Sequence, residues 1–262
     1  RLFWTPPEPP DLEYRPAPFS WLKDLQVLVS RHDGVVLAAK AGHNAENHNH
    51  NDIGQFILLL DGHPVIVDIG TGTYSGKTFS DERYTLWTHR ASGHNVPMIG
   101  GVEQAPGPQF RADDAMFAED ATIRRLSMEL KHAYPETARV ASLVRSIEHR
   151  LDEDGAVVVT DRMIAQGPAA PRTVPLHSPI EPDLSAPGEI RFDTPDRRMV
   201  LTFDATKIDA EVAAIDIDDA RLAGSWGNRL YRIDLKERIP AETMTLRFAP
   251  GSKREEGQSS HR

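Results

Sequence analysis

The chain contains no cysteine. Disulfides, thiolate zinc sites and cysteine nucleophiles are therefore excluded, and any metal must be held by His, Asp, Glu or Asn. No run of 18 apolar residues occurs, so no membrane span is expected. A basic excess is missing as well: 30 Lys and Arg stand against 39 Asp and Glu, a net charge of −9. Phosphate neutralisation needs a basic face, so no nucleic-acid partner is expected. An anionic substrate would need a local cationic site to overcome the global field. There is no amphipathic helix of three turns and no fixed repeat.

What is present is a chain of 262 residues, 39% apolar, enough for one large β domain or two smaller ones. The opening "RLFWTPPEPPDLEYRPAPFSW" holds six prolines and lacks signal-peptide order. Residues 1–22 read as a proline-rich linker leaving something upstream, as in the C-terminal part of a longer protein. The domain is expected over 23–250, followed by a polar, disordered tail over 251–262.

Between these ends the pattern is one of strands. "LQVLVSRH" and "GVVLAAKAG" flank Asp33-Gly34, and "GQFILLL" and "PVIVDIG" flank Asp61-Gly62, both hairpin signals. "SLVRSIEHRL" and "AVVVTDRMI" flank "DEDG" in the same way. Later runs such as "EIRFD", "RMVLTFDA", "NRLYRIDL" and "TMTLRFA" are short, and several alternate polar with apolar residues. The expected class is all-β, a large antiparallel β-sandwich of stacked sheets. Arg124 and Arg125 read as edge-strand charges that discourage aggregation. Residues 70–101 break the alternation but contain two tyrosines, a tryptophan and two histidines, which favours an ordered functional loop. Within it "FSDERYTLWTHR" is expected to form a short helix with Ser80 as N-cap.

The polar stretch "NAENHNHNDIGQF" lies between two apolar runs. If it is extended, His48, His50 and Asp52 share one face. The Asp61-Gly62 turn folds Asp68 back beside His50, and His94 ends the long loop. Two His and one Asp suit zinc's tetrahedral preference. An HxH pair alone fits hydrogen-bonded structural histidines equally well, and Asn44, Glu46, Asn47 and Asp52 also suit turns.

Taken together, "AKAGHNAENHNHNDIGQFILLLDGHPVIVDIGTGTYSGKTF" and "RYTLWTHRASGHNVPMIGGVEQAPG" resemble the heparinase II/III family of polysaccharide lyases. The similarity is strong over residues 27–107 and weak beyond. It implies the C-terminal β-sandwich of an enzyme whose N-terminal part is an α-helical toroid. It implies zinc bound by His50, Asp68 and His94 in a structural role, and His48 facing the substrate as a catalytic group. A tyrosine acid/base belongs to the toroid and is not matched in this chain. The implied substrate is an acidic polysaccharide containing uronic acid, cleaved by β-elimination, and such lyases work in the periplasm or outside the cell.

Arg83, Arg90 and Lys77 are either carboxylate or sulfate contacts or solvated charges. Tyr74, Tyr84 and Trp87 are either a sugar-binding wall or loop anchors. Asn95 and Gln104 are lesser candidates for polar contacts. Two other readings stand beside the lyase: a non-catalytic carbohydrate-binding domain, and a cupin-like metalloenzyme. The cupin reading needs a carboxylate three or four residues after the second His, where Ile53 and Gly54 stand instead.

Overall fold

Two Asp-Gly turns set the register of the sheet that carries the site. In the computed structural model, which describes residues 15–152 and 155–252, Asp33 and Gly34 have φ of 42° and 77°, and Asp61 and Gly62 have 49° and 83°. Successive positive φ values are what a two-residue type I′ turn requires. The strands on either side pair at once, His32 with Val35 and Leu60 with His63. A Cβ at Gly34 would also collide with the Asp61 carboxylate and the Arg197 guanidinium. Arg197 bonds both turn aspartates, to Asp61 Oδ2 at 2.7 Å and Asp33 Oδ2 at 3.0 Å, so one cation fastens both hairpin ends.

These hairpins form a five-stranded antiparallel sheet in the order Phe19–Leu22, Val27–His32, Val35–Lys40, Phe56–Leu60, His63–Ile66. Its first strand lies inside the segment read as linker, so the sheet begins before residue 23. Residues 1–14, the Glu153-Asp154 part of the "DEDG" connection and most of the expected tail lie outside the described residues. A four-stranded sheet, in the order Ile208–Asp216, Arg229–Glu237, Arg172–Ser178, Met98–Ile99, continues the same layer. The join is a bond from Val67 N to His177 O at 2.9 Å.

The opposing layer has eight strands, with Thr243–Pro250, Val157–Ala165 and Val140–Arg150 at its centre. Alternation along Val35–Lys40 and Phe56–Leu60 turns Val35, Leu37, Phe56, Leu58 and Leu60 inward. They share one core with Ile147, Val159, Leu246 and Phe248 of the facing layer. The Phe56 and Phe248 rings meet edge-on, with centroids 5.7 Å apart. Full burial of such a side chain contributes about 1.5–3 kcal/mol. The fold is therefore an all-β sandwich of stacked antiparallel sheets. Among the described residues no helix is long and apolar enough to cross a membrane.

The core also holds charge. Arg145 is fully buried and makes a two-point contact with Asp161, 2.7 Å to each carboxylate oxygen. Its remaining nitrogen donates to the carbonyls of Gly54 and Asn95, each at 2.9 Å. The pair thus ties the eight-stranded layer to the backbone beneath the site. Arg124 is not an edge charge. Its strand, Ile123–Glu129, has neighbours on both sides, and its guanidinium lies over the Phe19 ring and donates to Pro18 O and Arg31 O.

Candidate functional site

The stretch from Ala45 to Gln55 is a loop whose backbone is satisfied piece by piece instead of by a ladder. Asn49 N donates to Glu46 O, Asn51 N to His89 O, and Gly54 N to Lys40 O. The Gln104 side chain receives Ile53 N at 3.0 Å and donates to Ile53 O at 2.7 Å. His48 has φ of 60°, a left-handed conformation that costs a non-glycine residue about 1–2 kcal/mol. The extended geometry expected for this stretch is therefore replaced, and His48, His50 and Asp52 do not share a strand face. Asp52 turns into the protein and pairs with Lys40 at 2.9 Å. Burial raises the Asp52 carboxyl above its usual range against the pull of Lys40.

His50 meets two residues distant in sequence. Asp68 follows the strand His63–Ile66, and its Oδ1 accepts from Gly70 N at 2.9 Å. His94 ends the short 3-10 turn Ala91–Gly93. One ligand atom from each of His50, Asp68 and His94 lies within 4.8 Å of the others. His94 Nδ1 is 3.2 Å from Asp68 Oδ1, and among the described residues the Nε2 of the fully buried His94 has no hydrogen-bond partner. Two imidazoles and a carboxylate that converge, with the buried His94 Nε2 left unpartnered among the described residues, form a donor set that fits a zinc ion. His50 Nε2 lies 2.9 Å from Thr71 Oγ1, which fixes its ring.

The electrostatics set a neutral His50 imidazole beside an Asp68–His94 pair in which each partner favours the charged form of the other. Burial, helped by His94, pushes His50 down to about 3. Burial works against charge on His94 too, but the adjoining Asp68 outweighs it and raises His94. Asp68 resists burial through His94 and the Gly70 amide, and is held well below the usual carboxylate range. Metal binding at these residues would compete with protons, because a ligating imidazole must be neutral. His89, which the sequence did not single out, has its ring centroid 4.3 Å from that of His50. Burial lowers it to about 4, and its Nε2 has no hydrogen-bond partner among the described residues. Its five-residue spacing from His94 carried no recognisable signal.

The loop over 70–101 is ordered by short 3-10 turns at Gly76–Phe79 and Asp81–Thr85, the second capped by Ser80, whose Oγ accepts from Glu82 N. It meets the histidine loop at Asn49. Arg83 donates to Asn49 O at 2.6 Å and to Thr78 O at 3.0 Å, and Tyr84 OH donates to Asn49 Oδ1 at 3.2 Å. Asn49, unmarked in the sequence reading, is the hub between His48 and His50. His48 is exposed, and its ring centroid is 6.4 Å from that of Tyr74. Tyr74 is 42% exposed and packs against Phe79, whose centroid is 5.4 Å away. Trp87 is also exposed.

The structure therefore brings together His48, His50, Asp68, Tyr74, Arg83, Tyr84 and His94. Arg90 and Asn95 are placed differently from a substrate contact. Arg90 pairs tightly with Glu103, which also accepts from Ser92 N. Asn95 is 0% exposed, donates to Phe56 O and Val67 O, and accepts from His177 N. Its side chain joins the two sheets of one layer directly behind His94. Gln104 is likewise buried beneath the histidine loop. The carboxylate beside His50 is Asp68 of the next hairpin strand, not a residue just downstream as a cupin-like site would need.

The profile of the family described as heparinase II/III-like, C-terminal, matches residues 15–230. Solved structures of similar fold include the heparan sulfate lyase HepC from Pedobacter heparinus, at TM-score 0.69 and 14% identity, with 90% of this chain and 37% of that chain covered. A mutant of the same lyase gives TM-score 0.70 at 14% identity, with the same 90% and 37% coverage. The heparinase III BT4657 gene product gives 0.66 at 16% identity, covering 87% of this chain and 35% of its own. The chain thus spans little more than a third of the length of these structures. Among curated proteins none matches it. With the profile running across most of its length, the chain belongs to the heparinase II/III-like C-terminal family.

Proposed function

We propose that the chain is the β-sandwich module of a polysaccharide lyase that cleaves a uronic-acid-containing glycan by β-elimination. The observation that carries this reading is the division of labour between neighbouring histidines. His50 turns inward to Asp68 and His94, and His48 stays exposed, with no hydrogen-bond partner among the described residues. Family membership and the likeness in fold to heparan sulfate lyase and heparinase III structures support it.

In such an elimination a base takes the proton at C5 of the uronate, beside its carboxylate, and an acid protonates the leaving oxygen at C4. The C–H is a poor acid, so charge building on the carboxylate must be met by donors or cations. His48 is the group proposed to handle the C5 proton, since an imidazole is suited to proton transfer near neutral pH. Asn49, held by Arg83 and Tyr84, fixes where His48 stands. Tyr74 offers a half-exposed ring for a sugar face. Zinc at His50, Asp68 and His94 would act structurally, joining the histidine loop to the hairpin and the long loop. The second acid/base group and the rest of the cleft are proposed to come from an upstream α-helical toroid of the same protein.

The test is the rise in ultraviolet absorbance from an unsaturated uronate when the whole protein meets heparin-like, chondroitin-like, hyaluronan and alginate substrates. Cleavage of at least one is expected, with His48→Ala slower by about 10²–10⁴-fold. Silence on all four substrates overturns the reading. A non-catalytic carbohydrate-binding role would show as glycan binding without any such rise.

A further inference from the structure

We infer that Arg221 is a specificity-determining residue that receives an anionic group of the glycan, a carboxylate or a sulfate, beside the sugar that faces His48. The inference rests on the lyase-module reading and adds to it a residue from a distant part of the chain.

Arg221 belongs to the two-turn helix Ala220–Trp226, which lies far from the histidine motifs in sequence. Its guanidinium stands over the Tyr74 ring, 5.0 Å from the centroid. The same ring neighbours His48 on one flank and Phe79, 69% exposed, on another. Arg221, Tyr74, Phe79 and His48 thus form one exposed cluster in which a cation, two aromatic faces and a free imidazole adjoin.

The charge on Arg221 is unmatched. Among the described residues no carboxylate, Asp218 included, lies within ion-pair distance of it. The arginines on and just after the strand that follows this helix are neutralised: Arg229 by Asp216, Arg232 by Asp234 and Arg238 by Asp209. The adjacent Asp219 is engaged elsewhere. Its oxygens accept from the backbone amides of Thr73, Arg221 and Leu222 at 2.8–3.0 Å. Those bonds clip the helix to the segment that carries Tyr74, and Trp226 Nε1 adds a second clip to Ile69 O at 2.9 Å. Ile69 follows Asp68 directly. The cation is therefore held in register with the His50, Asp68 and His94 cluster.

An unpaired guanidinium on an aromatic face, in a chain of net charge −9, is suited to take an oxyanion by two parallel bonds. Its local field offsets the repulsion that an acidic polymer meets elsewhere on the surface. Carboxylate and sulfate share this chemistry, and glycan derivatives separate them.

The experiment measures calorimetric binding of the whole protein to a sulfated uronate glycan, its desulfated form and its carboxyl-reduced form and, separately, turnover of the first two, which keep the carboxylate that acidifies C5. Arg221→Gln is expected to weaken binding and raise KM by about tenfold or more for glycans bearing the recognised anion. kcat should change little, and the glycan lacking that anion should bind wild type and variant alike. Arg221→Lys should recover part of the loss, and Arg229→Gln should behave as wild type. Loss of the Arg221 effect on desulfation assigns sulfate, and loss on carboxyl reduction assigns carboxylate. Equal binding of Arg221→Gln and wild type to all three glycans overturns the inference. So does an equal loss on all three, which would mark a structural role, or no binding of any acidic glycan by wild type. Arg221-dependent binding without turnover would leave this site standing and remove the lyase reading. Turnover whose KM and kcat are both unaffected by Arg221→Gln would do the reverse.

Discussion

The Arg83 guanidinium donates to the carbonyl oxygen of Asn49 at 2.6 Å across 34 positions of sequence. That bond joins the long loop to the histidine loop at the residue lying between the outward His48 and the inward His50. A second donation, to Thr78 O, engages the other side of the same guanidinium. Arg83 therefore works as a bracket for the two loops.

Removing the bracket should disturb the site more than the fold. Arg83→Ala leaves two part-buried carbonyls without their donor, a cost of about 1–3 kcal/mol. The expected outcome is faster amide hydrogen exchange over residues 45–52, a fall in kcat on any cleaved glycan, and a far-ultraviolet spectrum like that of wild type. Unchanged exchange in that segment would show that Arg83 does not hold it.

Metal should be measurable directly. Elemental analysis of purified whole protein is expected to find about one zinc equivalent, lost in His50→Ala, Asp68→Ala and His94→Ala. Chelation should lower the thermal midpoint of wild type, because an ion bound only by the folded state stabilises it. The same treatment should leave the midpoints of the three variants unmoved.

The buried Arg145–Asp161 pair gives a stability prediction independent of activity. Arg145→Leu strands a buried carboxylate and frees the carbonyls of Gly54 and Asn95, and should cost about 3–5 kcal/mol in urea unfolding. Arg145→Leu combined with Asp161→Leu should cost less than the sum of the two single changes, since neither charge is then left alone.

Acid should weaken the sandwich through His149. Burial, helped by nearby His32 and Arg124, lowers this histidine from 6.5 to about 4. Its Nδ1 lies 2.8 Å from Ser30 Oγ across the two layers. Between those two values the unfolded chain holds a proton that the folded chain does not, so stability rises with pH across the window and falls as pH drops through it. Urea midpoints from pH 7 to pH 4 should fall less steeply for His149→Gln than for wild type.

Strand structure was legible because alternation and turn chemistry agreed. In "NRLYRIDL" Ile233 and Leu235 turn into the main core while Leu230, on the other face, joins a smaller cluster with Val67 and Leu222, and both Asp-Gly pairs sit at two-residue turns. Other elements hid behind their composition. The strand Asp113–Glu119, reading "DDAMFAE", is an edge strand with little burial on either face, so it lacks an apolar stripe. The helix Ala220–Trp226 is too short to show a period. In "SLVRSIEHRL" the inward face is Leu143, Arg145, Ile147 and His149, and polarity alone assigns two of those four to water. Proximity of Asp68 to His50 followed from the hairpin register. The path of the histidine loop did not, because the left-handed turn at His48 and the Gln104 contacts depend on residues far along the chain. Arg83 and Tyr84 were visible as candidates, but their shared partner Asn49 emerges only in three dimensions.

The Arg197 clasp on the two hairpin turns has an evolutionary consequence. The Asp61-Gly62 turn lies at one end of the hairpin, and Asp68 and the histidine loop at the other. Strand pairing is locked at the pole remote from chemistry. Insertions or sequence drift over residues 70–95 can then reshape the surface around the candidate site without slipping the strands beneath, leaving one pole of the sandwich free to diversify while the other keeps time.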